Sequence, residues 1–326
     1  SDSISLLLVG RAVQGFGASG IFPVASAVIG DIYPPEKRGR TLGMIGAVFG
    51  IAFIIGPVIA GVLLLLFKWN VLFLVNLPIA AVVIFFSWHL LPSKKSTAKL
   101  HFDWTGMALI ALLLASFAYG INNIEAADGI RSLWSFSVFP FLLTTLVTLP
   151  VFIYFEKRSP SPVVKIELFD IRQIRIVGLV AFGTGIIQAV TIFIPEMAVT
   201  VFGVSTSKAS FMLIPFVIAI AIGSPVAGRL IDKIGSRAIV MTGLLLAASG
   251  LVLLFIDASS KYNFYSAGIL MGLGSAMLQG SALRYIMLNE VAVSERALGQ
   301  GIITLFTSTG QMTGATLIGM IVASVS

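Results

Sequence analysis

Three ionisable side chains stand where charge is expensive. Arg11, in VGRAVQGFG, lies within an apolar stretch that runs from Ile4 to about Ile32. A cation near the middle of a bilayer-spanning helix costs about 2.5–3.5 kcal/mol on insertion scales. A guanidinium that stays charged there fixes a positive field in low dielectric. It lowers the pKa of a nearby carboxylate and so sets when that group takes or releases a proton. The structural alternative is that Arg11 bonds backbone carbonyls between helices and only holds packing. Gln14, at i+3, shares its helix face and would serve the same polar function or a plain helix-to-helix hydrogen bond. Glu196, in FIPEMAVTVFG, is the one carboxylate placed clearly inside an apolar run. Buried carboxylates have raised pKa values and suit proton carriage or attraction of a cationic ligand. A position about one to two turns from the next loop also fits an acid exposed at an interface. Asp232, in GRLIDKIGSR, falls at the end of a span. Its carboxylate suits backbone N–H groups at a helix start, or Arg229 and Arg237, which would make a gate latch. The alternative is a solvated charged loop.

Other chemistry is missing from the residues. No Gly-rich loop followed by Lys and Ser or Thr occurs, so no ATP-driven motor is encoded in them. No catalytic triad or metal-ligand spacing is present, and an enzyme would need clustered His and carboxylates. An enzyme and a bound cofactor are therefore not expected.

The elements that must carry these residues are membrane spans. The 326 residues are 57% hydrophobic and only 11% charged, with mean hydropathy +1.03. Soluble domains carry roughly 25% charge, so lipid is the solvent. A net charge of +7 follows from basic cytoplasmic loops better than from nucleic-acid binding. At about 20 apolar residues per span, ten spans are expected, at 4–32, 41–66, 70–91, 104–124, 134–155, 174–200, 208–231, 238–256, 263–288 and 297–325. The alternating loops 31–40, 91–103, 155–175 and 228–237, with the stretch 283–299, hold all the Lys and Arg except Arg11, Lys68, Arg131, Lys208 and Lys261. This asymmetry puts the first set in the cytoplasm. The chain begins with Ser almost at the start of a span, lacks a signal-peptide pattern and stops inside GATLIGMIVASVS. The expectation is a fragment of a longer protein.

The chain also repeats itself. Gly15 and Gly17 match Gly272 and Gly274 at a shift of 257. After one inserted residue, Arg38, Gly43, Ala52, Gly56 and Gly61 match Arg296, Gly301, Gly310, Gly314 and Gly319 at a shift of 258. Both copies enter the cytoplasm from outside, so the repeat is parallel, as in transporters built from duplicated bundles. The first span pairs with the ninth, which implies six spans per repeat and two inserted spans at 104–155. Gly43, Ala52, Gly56 and Gly61, with Pro57, line small residues along one helix. They suit close packing or a kinked, rocking pivot.

Four stretches resemble the major facilitator superfamily, and within it the fourteen-span drug:proton antiporter branch. Leu7, Arg11, Gln14, Gly15 and Gly17 look like its fourth-span motif. Gly43, Ala52, Gly56, Pro57, Ala60 and Gly61 look like its fifth-span antiporter motif, with Ala where Gly is usual at 52 and 60. Trp69 with FLVNLPIA looks like the start of its sixth span, and GRLIDKIGSR like its loop motif in the second half. The resemblance implies an all-α membrane protein with the major facilitator fold: two pseudo-symmetric helix bundles, two inserted spans and about ten transmembrane helices, from the fourth span to the thirteenth. Residues 1–92 would finish the first bundle, 93–165 hold the inserted spans and linkers, and 166–326 form the second bundle. It implies a monomeric, multi-pass plasma-membrane exporter that exchanges drug-like, lipophilic or cationic compounds for protons, with small molecule, protons and lipid as partners and no nucleic acid. In that scheme Arg11 and Gln14 couple protons; Glu196, to which the branch's pattern gives no role, is a candidate for protonation or cation attraction on its own chemistry. Gly43, Ala52, Gly56, Pro57 and Gly61 form the hinge, and Arg229, Asp232 and Arg237 the cytoplasmic gate. Phe22, Asn76, Gln188, Phe193 and Met277 suit a promiscuous cavity as well as ordinary packing. The alternative job for the same fold is carriage of one metabolite or lipid precursor.

Overall fold

The computed structural model describes residues 4–68, 70–90, 102–125 and 129–325. Among them every regular element is helical. Trp69 and the loop residues 91–101 lie outside the described residues.

The apolar runs become helices whose ends follow local chemistry. α1 (Ile4–Ser19) and α2 (Ile21–Ile32) are separated at Gly20, where the backbone turns. α3 (Pro35–Leu66) starts on a proline, whose missing N–H is among the helix's unbonded donors in any case. α4 (Val71–Leu74) and α5 (Asn76–Leu90) follow. The hairpin of α6 (Trp104–Asn122) and α7 (Phe139–Glu156) opens with Asp103, whose Oδ1 accepts the Gly106 N–H at 2.7 Å as an N-cap. α8 (Arg172–Phe202) ends on Gly203 at φ 61, the left-handed conformation that glycine adopts at helix ends. α9 (Thr206–Phe211), α10 (Ile214–Ile234), α11 (Ser236–Ile256), α12 (Lys261–Met277), α13 (Leu283–Glu290) and α14 (Arg296–Val325) complete the chain. α12 runs into α13 through a π turn at Leu278–Ala282.

Among the described residues, seven helical stretches are long and apolar enough to cross a membrane: Ile4–Ile32, Val71–Leu90, Trp104–Asn122, Phe139–Glu156, Arg172–Phe202, Lys208–Ile234 and Ser236–Ile256. Their outer faces carry large side chains such as Leu74, Trp88, Leu146 and Phe255, all exposed. A helix apolar all round is solvated by lipid or by other helices.

Packing joins α3 to α10, α8 to α14, α11 and α10 to α12, and α6 to α7. α8, α13 and α14 share an apolar cluster around Ile174, Val177, Leu283, Met287 and Ile302. The linker after α7 is tied in from both sides. Glu156 is buried and accepts the Val164 N–H at 3.0 Å, and Lys165 pairs with Glu295 just before α14. The Glu295 carboxylate raises the Lys165 pKa above its ordinary value by hydrogen bond and charge.

Candidate functional site

The closest approach between the sequence's first and second copies is the seam of α3 on α10. Gly39, Gly43, Gly46 and Gly50, spaced by four, three and four residues, form one stripe along α3. A methyl group at Gly43 would lie 2.5 Å from the Ser224 carbonyl oxygen and 3.1 Å from Gly228 Cα. At Gly46 it would lie 2.7 Å from Ser224 Cβ, and at Gly50 2.6 Å from Ala221 Cα. Only hydrogen at these positions lets the two backbones touch, as in close-packed membrane helices. Of the five residues assigned to the hinge, Gly43 lies in this seam. Ala52 and Gly56 are exposed, and a methyl group at Gly56 would meet nothing within 4 Å. Pro57 and Gly61 lie further along α3.

At the basic end of the seam, side chains cross between the copies. Asp232 on α10 accepts the Gly39 N–H at 2.9 Å through Oδ1 and the Arg40 N–H at 2.8 Å through Oδ2. The carboxylate therefore sits on the second turn of α3, against two consecutive backbone N–H groups. Arg229 and Arg237 are exposed at the same end of the molecule.

Beside this contact the repeat produces a reciprocal pair. Arg38 on α3 donates Nη1 to Asn289 Oδ1 at 2.8 Å, on α13. Arg296 on α14 donates Nη1 to Asp31 Oδ1 at 2.6 Å, on α2. The shift of 258 that carries Arg38 onto Arg296 also carries Asp31 onto Asn289, so each arginine reaches the other copy's counterpart acceptor. Both guanidiniums also converge on one carbonyl. Arg38 Nη2 and Arg296 Nη1 donate to Gly30 O at 2.9 and 2.7 Å, where the C-terminal end of α2 presents unbonded carbonyls to cations.

One turn deeper, Arg284 on α13 points at α2. Its Nη1 donates to Gln300 Oε1 at 3.2 Å and lies 3.5 Å from Ser26 Oγ, and its guanidinium stands 5.2 Å from the Phe22 ring centroid. Gln300 is fully buried and returns a hydrogen bond to Arg284 O at 3.0 Å.

The remaining candidates are dispersed. Arg11 and Gln14 are exposed on α1 and bond one another, Nη1 to Oε1 at 2.8 Å. Glu196 is exposed near the end of α8, with Pro195 beside it in the helix. Asn76 is exposed at the start of α5. Gln188 and Phe193 are half-buried on α8, and Gln188 donates to Gln279 in the π turn, whose Nε2 donates to Thr184 O at 3.4 Å. Met277 ends α12 and packs against a cluster of Ala227, Ile231, Ile239 and Ala282.

Sequence reasoning missed Asp31, Asn289 and Arg284, counting Arg284 among the cytoplasmic loop cations. A signal was available. The shift from 257 to 258 requires one extra residue between Gly274 and Arg296, and a π turn is a one-residue insertion into an α-helix. The observed turn at Leu278–Ala282 occupies that interval, so applying 258 beyond it pairs Asp31 with Asn289 and Ser26 with Arg284.

Comparison with known proteins places this geometry. The family model described as the Major Facilitator Superfamily matches residues 1–213 and 174–326, and the chain belongs to that superfamily. It is 29% identical over 322 residues to the MFS-type transporter YfiU of Bacillus subtilis (strain 168), covering 97% of this chain and 62% of that protein. It is 28% identical over 334 residues to the multidrug transporter protein MdtP of the same organism, covering 98% and 59%. A triacylglyceride transporter of Mycolicibacterium smegmatis is 27% identical over 339 residues, covering 98% and 59%. The chain thus spans less than two thirds of the length of these curated relatives. With its apolar helices, it is a multi-pass membrane protein.

Proposed function

We propose that this member of the superfamily is the main part of a secondary active exporter of drug-like or lipophilic compounds, driven by protons entering as substrate leaves. The observation that carries the reading is the reciprocal closure of the basic end. Arg38–Asn289, Arg296–Asp31 and Asp232 on the start of α3 all bond across the two copies of the repeat. Contacts of this kind hold one face shut in one state and must break in the other, which is what alternating access between two bundles demands. The α3–α10 seam gives the bundles a packed surface on which to rock, because small residues allow sliding without bulky interlocking. Relatives named as a multidrug transporter and a multidrug resistance protein favour a range of drugs as substrates.

Several finer features belong to the same proposal: ten spans arranged as residues 1–92, 93–165 and 166–326, membership of the fourteen-span branch, and a place in the plasma membrane. Arg11 with Gln14 is the proton-coupling element. A fixed cation at that depth sets the proton affinity of any carboxylate that approaches it. Glu196, exposed on α8, is the candidate for drawing cations toward the outer side.

The alternative job is carriage of one metabolite or lipid, favoured by the relative named as a triacylglyceride transporter. The test uses the full-length protein in proteoliposomes under an imposed pH gradient, with a lipophilic cationic dye. Dye movement in wild type that is lost in a folded Arg11→Ala protein supports the coupled exporter and the role of Arg11. Movement unchanged in the variant makes Arg11 structural. No movement in either protein favours the single-substrate job.

A further inference from the structure

Arg284 is the charge this scheme leaves unexplained. It lies on α13 inside the bundle contact, above the Arg38 and Arg296 bonds, and is only half-buried. Among the described residues no carboxylate comes within ion-pairing distance of it; the ion pairs formed are Lys165–Glu295 and Arg296–Asp31. Its polar neighbours, Gln300 Oε1 and Ser26 Oγ, are neutral. A guanidinium partly shielded from water with only neutral partners is incompletely compensated, and its five donors exceed what one amide oxygen and one hydroxyl can accept.

Three further observations say what completes it. First, the cation is held ready. Gln300, 0% exposed, grips both the Arg284 carbonyl and its guanidinium, so the head is fixed before any ligand arrives. Second, it stands outside the internal symmetry. Its repeat-related position is Ser26, whereas Arg38 and Arg296 match one another, so a structural clamp common to both copies does not account for it. Third, an aromatic run leads away from it. Phe22 lies beside the guanidinium, Phe49 follows with ring centroids 4.4 Å apart, and Phe53 at 6.4 Å. Phe49 and Phe53 are 41% and 59% exposed among the described residues.

We propose that Arg284 anchors the head group of an amphipathic organic anion, with a carboxylate, sulfate or phosphate on the guanidinium and the apolar body along Phe22, Phe49 and Phe53. Arginine binds such groups by paired N–H donors, and Ser26 turns its hydroxyl to donate as well. The site rests on the transporter reading for its purpose and names the substrate class that reading leaves open. A free amphiphile and an anionic bilayer lipid share this head-group chemistry.

The test is fluorescence titration of the purified full-length protein in neutral detergent at pH 8, with 11-(dansylamino)undecanoic acid and its neutral primary amide. Wild type is expected to bind the acid at least about tenfold more tightly than the amide. Arg284→Gln is expected to bring that ratio close to one, and Arg284→Lys to retain most of it. Equal binding of acid and amide by wild type overturns the proposal, as does a ratio unchanged in Arg284→Gln. If Arg284→Gln does not fold, the wild-type ratio and Arg284→Lys decide. Displacement of the acid by laurate but not by phosphatidylglycerol identifies a free amphiphile, and the reverse a bilayer lipid. Flux is read separately: pH-driven movement of the probe no faster in proteoliposomes than in protein-free liposomes sinks the transporter reading, while the binding ratio judges the site.

Discussion

Asp232 offers a perturbation whose size follows from the geometry. Its two oxygens accept the Gly39 and Arg40 N–H groups at 2.9 and 2.8 Å. A hydrogen bond to a charged group contributes about 1.5–3 kcal/mol net. Asp232 is half-buried, so the lower figure applies, and Asp232→Ala removes about 3 kcal/mol from the closed arrangement. At about 1.4 kcal/mol per decade, the open population rises about a hundredfold. Asp232→Asn keeps one acceptor oxygen and is expected to give about tenfold. The chain has no cysteine, so a single Leu42→Cys in an otherwise cysteine-free full-length protein serves as reporter. Leu42 is 0% exposed and packs against Ile29 and Leu288, one from each copy. In inside-out vesicles an impermeant maleimide reaches position 42 only when that contact opens, so the labelling rate follows the open population. The expected order is Ala above Asn above Asp. Equal rates in all three proteins, with intact folding, would refute the claim that this carboxylate holds the basic end shut.

The same reporter checks the neighbouring contacts. Asn289→Asp turns the Arg38 contact into an ion pair like that of Arg296; at an exposed site this contributes about 0.2–1 kcal/mol, so labelling should slow by up to about fivefold, and faster labelling contradicts the reciprocal arrangement. Gly46→Ala sets a methyl 2.7 Å from Ser224 Cβ and 2.8 Å from Gly280 Cα; overpacking of this kind costs about 1–3 kcal/mol and should lower the thermal midpoint. Gly56→Ala meets nothing within 4 Å and should leave the midpoint unchanged or slightly raised, since alanine is the better helix former by about 1 kcal/mol. Because the Lys165 pKa is raised in the folded protein, the contribution of its pair with Glu295 is complete below the unfolded lysine value, about 10.4, and is lost only as pH climbs through the folded value. The destabilisation by Glu295→Gln should therefore not vary between pH 6 and 9, and a slope across that window would place the effect on another group.

What was legible from the sequence was legible for periodic and compositional reasons. Lipid as solvent follows from the shortage of charge, and the helical stretches follow from runs of apolar residues that lipid tolerates only as helices. The internal repeat, and the pairing of Arg38 with Arg296, are written in fixed offsets. For Asp232 the sequence left open backbone N–H groups at a helix start, Arg229 or Arg237, and solvent; only the packing of α10 on α3 brings it to the Gly39 and Arg40 N–H groups.

Pairings across hundreds of residues were not. The sequence marks Gly43, Ala52, Gly56 and Gly61 as one row of small residues, but only the position of α10 decides that Gly39, Gly43, Gly46 and Gly50 meet a backbone while Gly56 faces open space. Arg284 reads as a loop cation beside a charged segment, and the π turn carries it onto the face that looks at Phe22 and Ser26. The crossing of Arg38 to Asn289 and of Arg296 to Asp31 likewise depends on how the two copies dock. Residue types fix what each helix can touch; rotation and register of one helix against another, set by the summed fit of many side chains, decide what it does touch.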